Sequence, residues 1–305
     1  MSDFISPFWH WYVAVISLVS ILACAVLLLT QSKARPAKGE KVDLHGHVWD
    51  EDLSEYNNPL PKWWMWLFYI TIAFALVYLA VYPGLGNFGG QFNWSSTGAY
   101  DAEIKQANTD YGPLFDKYAK VDVATLSKDP QANAMGQRLF LTYCIKCHGS
   151  DAGGAKGFPN LRDKDWLYGG EPDIIKTTIM HGRNGQMPPM GAALGSEKDV
   201  ENVAHYVLSL SGSTSDPVKS VLGKAKFGAC MACHGADAKG NQMLGSPNLT
   251  DKIWLYGGSA DTIMETVRTG RNNTMPAFSD FLGESKVHVL SAYVWSLSNP
   301  QTPVK

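Results

Sequence analysis

Cys144-Ile145-Lys146-Cys147-His148 and Cys230-Met231-Ala232-Cys233-His234 repeat one pattern, Cys-x-x-Cys-His, 86 residues apart. Two thiols about one helical turn apart can add to the two vinyl groups of a single haem, and the adjacent His then offers a ring nitrogen to the iron. A zinc site would need a second Cys or His pair at short spacing, and none follows. Recurrence with His in the same place argues against a thioredoxin-like disulfide. The pattern therefore implies two covalently bound haem c groups. Cys144, Cys147 and His148 would hold one, and Cys230, Cys233 and His234 the other. The fifth cysteine, Cys24, lies in an apolar run and reads as a small hydrophobe.

At 305 residues, 45% hydrophobic and with net charge -2, the chain has room for about two domains. It is neither basic enough for a nucleic-acid partner nor acidic enough for disorder. Two stretches depart from the average. Residues 11–32 carry no charge and are long enough for a membrane helix, and residues 63–82 form a second charge-free run. Phe8, Trp9, Trp11 and Tyr12 flank the first run, and Trp63, Trp64, Trp66 and Tyr82 flank the second, as interfacial anchors do. The first run reads as a retained helix: no Lys or Arg precedes it, its apolar part exceeds a signal h-region, and no small-residue cleavage pattern follows. Lys33, Arg35, Lys38 and Lys41 come directly after it, which predicts a cytoplasmic loop. The expected order is a first transmembrane helix over 1–32, a cytoplasmic loop over 33–62, a second transmembrane helix over 63–83 and a periplasmic connector over 84–130. The connector opens with Pro83-Gly84-Leu85-Gly86, read as flexible and turn-rich. Within it, about 98–120 should be a helical segment broken at Gly112-Pro113. Everything after Tyr82 then lies in the periplasm, where bacterial haem attachment to this motif takes place.

From Asp129-Pro130 the chain repeats itself. Phe158-Pro159-Asn160-Leu161 through Trp166-Leu167-Tyr168-Gly169-Gly170 returns as Ser246-Pro247-Asn248-Leu249 through Trp254-Leu255-Tyr256-Gly257-Gly258, offset by 88. The change from 86 to 88 implies a two-residue insertion between His234 and Pro247. Two units signify duplicated domains rather than a solenoid, with domain 1 over 131–212 and domain 2 over 213–305. Each has an opening helix with Gly and Phe four residues apart, Gly136 and Phe140 or Gly223 and Phe227. Each has a closing helix with an aromatic, Tyr206 or Tyr293. These segments resemble the terminal helices of class I cytochromes c, where a glycine lets the two helices cross closely. The fold class is thus expected to be all-α: two N-terminal transmembrane helices followed by two tandem class I cytochrome c domains. Units this short need the haem as apolar mass.

His148 and His234 are the expected proximal ligands, and Pro159 and Pro247 resemble the family proline whose carbonyl fixes the imidazole. For the sixth position, Met187 and Met275 are matched across the repeat, each before Pro. A thioether raises the potential and fills the open site, favouring electron transfer over substrate binding. Met190 is unmatched, since Phe278 stands in its place, and Met180, Met190, Met243 and Met264 read as core filler. The spacing allows each methionine to serve its own domain or the other. His181, replaced by Thr269 in the second unit, reads as a surface or propionate-contact residue. Arg183 and Arg271 are candidates to pair with propionates. Trp166, Trp254, Tyr168 and Tyr256 either reach propionates or pack the haem edge. No metal site is expected at His45 and His47, which lack a paired Cys.

Gly46-His47-Val48-Trp49-Asp50 followed by Asn57-Asn58-Pro59-Leu60-Pro61-Lys62-Trp63-Trp64 resembles the signature of the dihaem subunit (subunit III) of cbb3-type cytochrome c oxidases. Tyr82-Pro83-Gly84-Leu85-Gly86 and Asp110-Tyr111-Gly112-Pro113-Leu114-Phe115 are similar to further blocks of that family. The likeness covers nearly the whole chain, with an additional N-terminal helix where many members have a single span. It implies an electron-transfer subunit in the bacterial inner membrane. Its partners would be a periplasmic cytochrome c donor, a monohaem cytochrome c subunit, and the haem–copper catalytic subunit that reduces oxygen and pumps protons. The chain itself carries no intramembrane set of His ligands for that chemistry and would not be an enzyme on its own. Two rival readings are a free-standing membrane-anchored dihaem shuttle, against which the signature loop argues, and a dihaem peroxidase, against which methionine at both matched positions argues. Residues 131–212 carry eight basic and eight acidic side chains, and 213–305 nine and seven, so neither domain declares a docking face by charge.

Overall fold

The computed structural model describes residues 6–33 and 41–300. Arg35 and Lys38, two of the four basic residues behind the topology expectation, lie outside the described residues. The chain divides into two units, one ending at Asn108 and one beginning at Thr109.

In the first unit, α1 (Pro7–Lys33) and α2 (Lys62–Val81) are both long and apolar enough to cross a membrane. At 1.5 Å per residue, the 20 residues of α2 span about 30 Å, the thickness of a bilayer's hydrocarbon core. No α2 side chain is buried in the protein, as expected of a helix solvated by lipid. Between them, β1 (Leu44–Trp49) and β2 (Leu53–Tyr56) pair antiparallel, with Trp49 opposite Leu53. After α2 the chain does not trail away as the flexible connector read from sequence. It folds back on the helix end: Gln91 N–H donates to Ala80 O and Phe92 N–H to Val81 O, both 3.1 Å. Gly90 permits this, with φ +70° and a backbone so close to Val81 O that a Cβ would collide with it. Asn87 N–H donates to His10 Nδ1 at 2.8 Å, tying the turn to α1.

Helix α3 (Ser96–Tyr118) carries Pro113 in its interior without breaking, contrary to the expectation at Gly112-Pro113. Most of this helix is exposed, so the chain has room around the proline ring to adjust without breaking the helix. Its C-terminal turns belong to the second unit, where Leu114, Phe115 and Tyr118 pack with α4 (Val123–Leu126).

The remaining helices repeat in order: α5 (Pro130–Tyr143), α6 (Ile145–His148), α7 (Pro172–His181), α8 (Gly191–Leu194) and α9 (Glu197–Leu210), then α10 (Pro217–Lys226), α11 (Met231–His234), α12 (Ala260–Thr269), α13 (Ser279–Leu282) and α14 (Glu284–Ser298). A 3-10 turn over Phe227–Cys230 joins α10 to α11. Both opening helices start alike. Asp129 accepts from Gln131 and Ala132 N–H before Pro130, and Asp216 accepts from Val218 and Lys219 N–H before Pro217. A short antiparallel ribbon of β3 (Arg183–Met187) and β4 (Arg271–Met275) joins the repeats.

The packing crosses between repeats. α9, the closing helix of the first, lies on α10, the opening helix of the second, and α14 lies on α5. One core gathers Val200, Val203, Ala204 and Val207 of α9 with Phe227, Ile263 and Val267. The other gathers Val287, Leu290 and Val294 of α14 with Phe140, Ile175 and Ile179. Each fully buried Val or Leu here contributes about 1.5–3 kcal/mol. The close helix crossing expected within each repeat is made between repeats instead. A Cβ on Gly136 would stand 2.5 Å from Tyr293 Cβ and 2.8 Å from Val289 O, and one on Gly223 would run into the Asn202 carbonyl. Phe140 packs on Tyr293 with ring centroids 5.6 Å apart, and Tyr206 on Phe227 at 5.2 Å.

Candidate haem site

A cavity of about 720 Å³ opens in the second unit and reaches both Cys-x-x-Cys-His motifs. In each motif the first Cys ends one helical segment and the His ends the following single turn, which sets the two thiols about one turn apart. His148 Nδ1 lies 3.0 Å from Pro159 O, and His234 Nδ1 lies 3.1 Å from Pro247 O. With Nδ1–H donating to the carbonyl, each ring keeps its Nε2 lone pair for a ligand. The proline carbonyl expectation therefore has its geometry in both repeats. Burial pushes both imidazoles toward the neutral, ligating form, opposed in part by the same carbonyls. Burial also pushes the Cys144 thiol up to about 11, with Cys147 adding to the effect, and Cys230 moves the same way by burial and by Cys233.

The methionines sit across the repeat boundary. Met275 packs in the core that holds Cys144, Phe140 and Trp166, while Met187 packs in the core that holds Cys230, Phe227 and Trp254. Both line the cavity. The antiparallel ribbon explains the crossing: it sets Arg183 opposite Met275 and Met187 opposite Arg271, so each strand starts at one compartment and ends at the other. Met190 does not line the cavity; its backbone caps α8 and donates to Val267 O. Met180 and Met264 pack as core. Met243 does not: it is 92% exposed, at the tip of the inserted turn. That turn closes between Asn241 and Ser246, where the first repeat closes between Ala155 and Phe158, so the two extra residues lie here.

Arg183 lies over the Tyr168 ring at 4.8 Å and Arg271 over Tyr256 at 4.4 Å. Thr178 and Thr266 accept from the two Nε–H groups, each at 2.9 Å. The sequence reading missed these threonines, although they recur at the same offset of 88 as the arginines. Tyr168 Oη and Arg271 Nη2 are buried and lack a partner among the described residues. An apolar cavity with two orphaned polar donors at its wall fits a flat apolar group that carries carboxylates. Haem c, with its propionates, is such a group. His181 is exposed at the end of α7 and does not line the cavity. His45 and His47 form no group with a third metal-binding side chain among the described residues. Asp165, unremarked in the sequence, lines the cavity near Asp251; burial first, then Asp251 and Asp163, raises its pKa.

Comparison with known proteins agrees with this geometry. The profile described as the N-terminal domain of cytochrome oxidase-cbb3, FixP, matches residues 41–89. The profile for cytochrome c oxidase, cbb3-type, subunit III, matches 131–207 and 223–294, one match on each repeat. The chain is 52% identical over 302 residues to the cbb3-type cytochrome c oxidase subunit CcoP of Rubrivivax gelatinosus, covering 99% of both chains, so that relative aligns through the first helix too. It is 42% identical over 274 residues to FixP of Azorhizobium caulinodans, covering 84% of this chain and 93% of that one. With CcoP of Rhodobacter capsulatus the identity is 35% over 295 residues, 88% of this chain and 99% of the other. Duplicated haem-binding motifs, an apolar cavity shared between the repeats and matches along the full length lead to one assignment: the chain belongs to the CcoP/FixP family, subunit III of cbb3-type cytochrome c oxidases.

Proposed function

We propose that the chain is a two-haem electron conduit with crossed ligation. Cys144, Cys147 and His148 hold one haem c, whose sixth ligand is Met275. Cys230, Cys233 and His234 hold the other, whose sixth ligand is Met187. The observation that carries this reading is the placement of each methionine in the core of the opposite Cys-x-x-Cys-His motif. Each bound haem supplies one-electron redox chemistry at its iron. The protein's part is to fix the imidazole through Pro159 or Pro247, to deliver the thioether by the β3–β4 ribbon, and to place Arg183 and Arg271 where carboxylates need partners. With His148 and Met275 holding one iron and His234 and Met187 the other, no ligand position would stay open for oxygen or peroxide, which would separate a conduit from a peroxidase.

Electrons enter from a periplasmic cytochrome c donor and leave to the monohaem cytochrome subunit and the haem–copper subunit of the oxidase. The two apolar helices anchor the chain in the bacterial inner membrane, with residues 33–62 in the cytoplasm and both haem domains in the periplasm. Lys33 and Lys41 beside the first helix support that orientation. The purified chain should show two low-spin haems, accept electrons from reduced cytochrome c, and turn over neither oxygen nor peroxide. Deleting it should abolish donor-driven oxygen consumption by the membranes. Peroxide turnover by the purified chain would overturn the assignment. For topology, a reporter active only in the periplasm should be silent at Lys41 and active at Gly90.

A further inference from the structure

The hairpin β1–β2 is built as if half of it were missing. A two-stranded hairpin alone in water is marginally stable at best, and among the described residues no other element buries this one. Every residue of β1 is exposed, and Leu44, Val48, Trp49, Leu53 and Tyr56 are each more than half exposed. On one face the rings of His45, His47 and Trp49 stand in a row, with centroids 6.1 and 6.2 Å apart, and Leu53 pairs across from Trp49. The row ends at a three-residue turn, Asp50-Glu51-Asp52, in which Asp50 and Glu51 hold φ of +46° and +75°. Left-handed backbone is costly for Glu, so this turn keeps its acidic side chains where Gly or Asn would be the easier choice.

Two occupants are conceivable for such a face beside a membrane helix, and charge decides between them. The hairpin itself, Leu44 to Tyr56, carries four carboxylates and no Lys or Arg, the loop's basic residues lying outside it. Anionic headgroups of the cytoplasmic leaflet repel that balance. Integral membrane proteins, in contrast, concentrate Lys and Arg in their short cytoplasmic loops. A guanidinium or ammonium from such a loop can lie on the Trp49 and His47 rings while pairing with Asp50 or Glu51. We infer that the hairpin is a docking element for a basic cytoplasmic loop of a membrane-spanning subunit of the same oxidase. This rests on the cytoplasmic placement of residues 33–62 given above.

The test uses the full chain in its assembled oxidase, with a photo-cross-linking residue in place of Trp49 (Trp49→p-benzoyl-phenylalanine). Irradiation should yield a covalent adduct with a membrane-spanning subunit, and the linked peptide should be an extramembrane segment containing Lys or Arg. Adding Asp50→Lys, Glu51→Lys and Asp52→Lys should cause loss of the adduct while haem content stays unchanged. Adducts with lipid alone, no adduct, or an adduct indifferent to charge reversal would overturn the inference. The reporter fusion at Lys41 tests the underlying topology separately: activity there with a protein adduct in place would refute the cytoplasmic placement and keep a docking hairpin.

Discussion

The two compartments around the Cys-x-x-Cys-His motifs share one plan and differ at their rims. Each has its Cys-x-x-Cys-His turn, its Pro carbonyl on His Nδ1, its Trp and Tyr, and an Arg held by a Thr hydroxyl. Around Cys144, however, stand Tyr143, Ile145 and Phe281, all exposed, with the Tyr143 and Phe281 rings 5.1 Å apart and edge-on. The corresponding positions around Cys230 are Ala229, Met231 and Ala193. The charges differ as well. Glu265 pairs with Arg271 at 3.0 Å, while Thr177 occupies its place in the first repeat and no carboxylate pairs with Arg183 among the described residues. Asp165 lines the first compartment where Ile253 stands in the second. Duplication has kept the residues proposed to hold a haem and changed what surrounds them, so the compartments are alike in their proposed ligands and distinct in electrostatics.

The strongest way to break this symmetry is Met275→His. Axial ligands set haem potentials over a range of about 0.8 V, so the change should lower one potential by a sizeable part of that range. Under crossed ligation, the haem bound to Cys144 and Cys147 is the one that moves, as identified by spectroelectrochemistry in a Cys230→Ala, Cys233→Ala background. A shift of the other haem instead, seen in the reciprocal Cys144→Ala, Cys147→Ala background, would return each methionine to its own repeat.

The helix crossings come next. Gly136→Ala and Gly223→Ala should each lower the melting temperature, costing about 1–3 kcal/mol or more by overpacking. Gly223→Ala should cost more, because its new methyl meets the Asn202 backbone whereas Gly136 faces the movable Tyr293 side chain as well as Val289 O. Equal melting curves for the two variants would contradict that ranking.

Charge effects are smaller. Glu265→Gln leaves Arg271 without its carboxylate and should raise the potential of the haem at Cys230 by roughly tens of millivolts, the scale of one partly screened charge. Thr177→Glu should lower the potential of the haem at Cys144 by a similar amount, making the two sites converge. Potentiometric titration of each variant measures both.

Asp165 gives the smallest effect, with a definite sign. Its folded pKa lies above the unfolded value, so the fold favours the protonated carboxyl. That preference stabilises the protein at pH below the unfolded value and is lost as pH rises through the folded one. Asp165→Asn should therefore melt slightly higher than the parent at pH 7, and the gap should close as the pH falls toward 4. A gap independent of pH would mean that the substitution acts through packing alone.

What sequence could deliver followed the range of the interaction. The thiols, the histidines and their proline carbonyls lie within seventeen residues of each other, so their spacing carried their geometry. The exchange of closing segments was harder to read because α9 and α14 share the apolar positions Val200/Val287, Val203/Leu290 and Val207/Val294, so either could cover either opening helix by that face. One signal was present: six residues separate Leu210 from Pro217, and so short a connection favours α9 and α10 as antiparallel neighbours. The β3–β4 ribbon was illegible for another reason. Arg183–Met187 and Arg271–Met275 lack β-branched or aromatic alternation, so no strand pattern marks them in the sequence. Pro113 was misread because a propensity rule was applied to a helix exposed enough to absorb it.

The crossed packing also reverses the order in which the compartments can be finished during synthesis. When Cys230 leaves the ribosome, Met187 and α9 have already been made, so the second-encoded compartment waits only 41 residues, as far as Arg271, for its remaining walls. Cys144 must wait 131 residues for Met275, and longer for α14. The first motif translated is thus the last one enclosed, because Met275 and α14 are the last of its walls to be made.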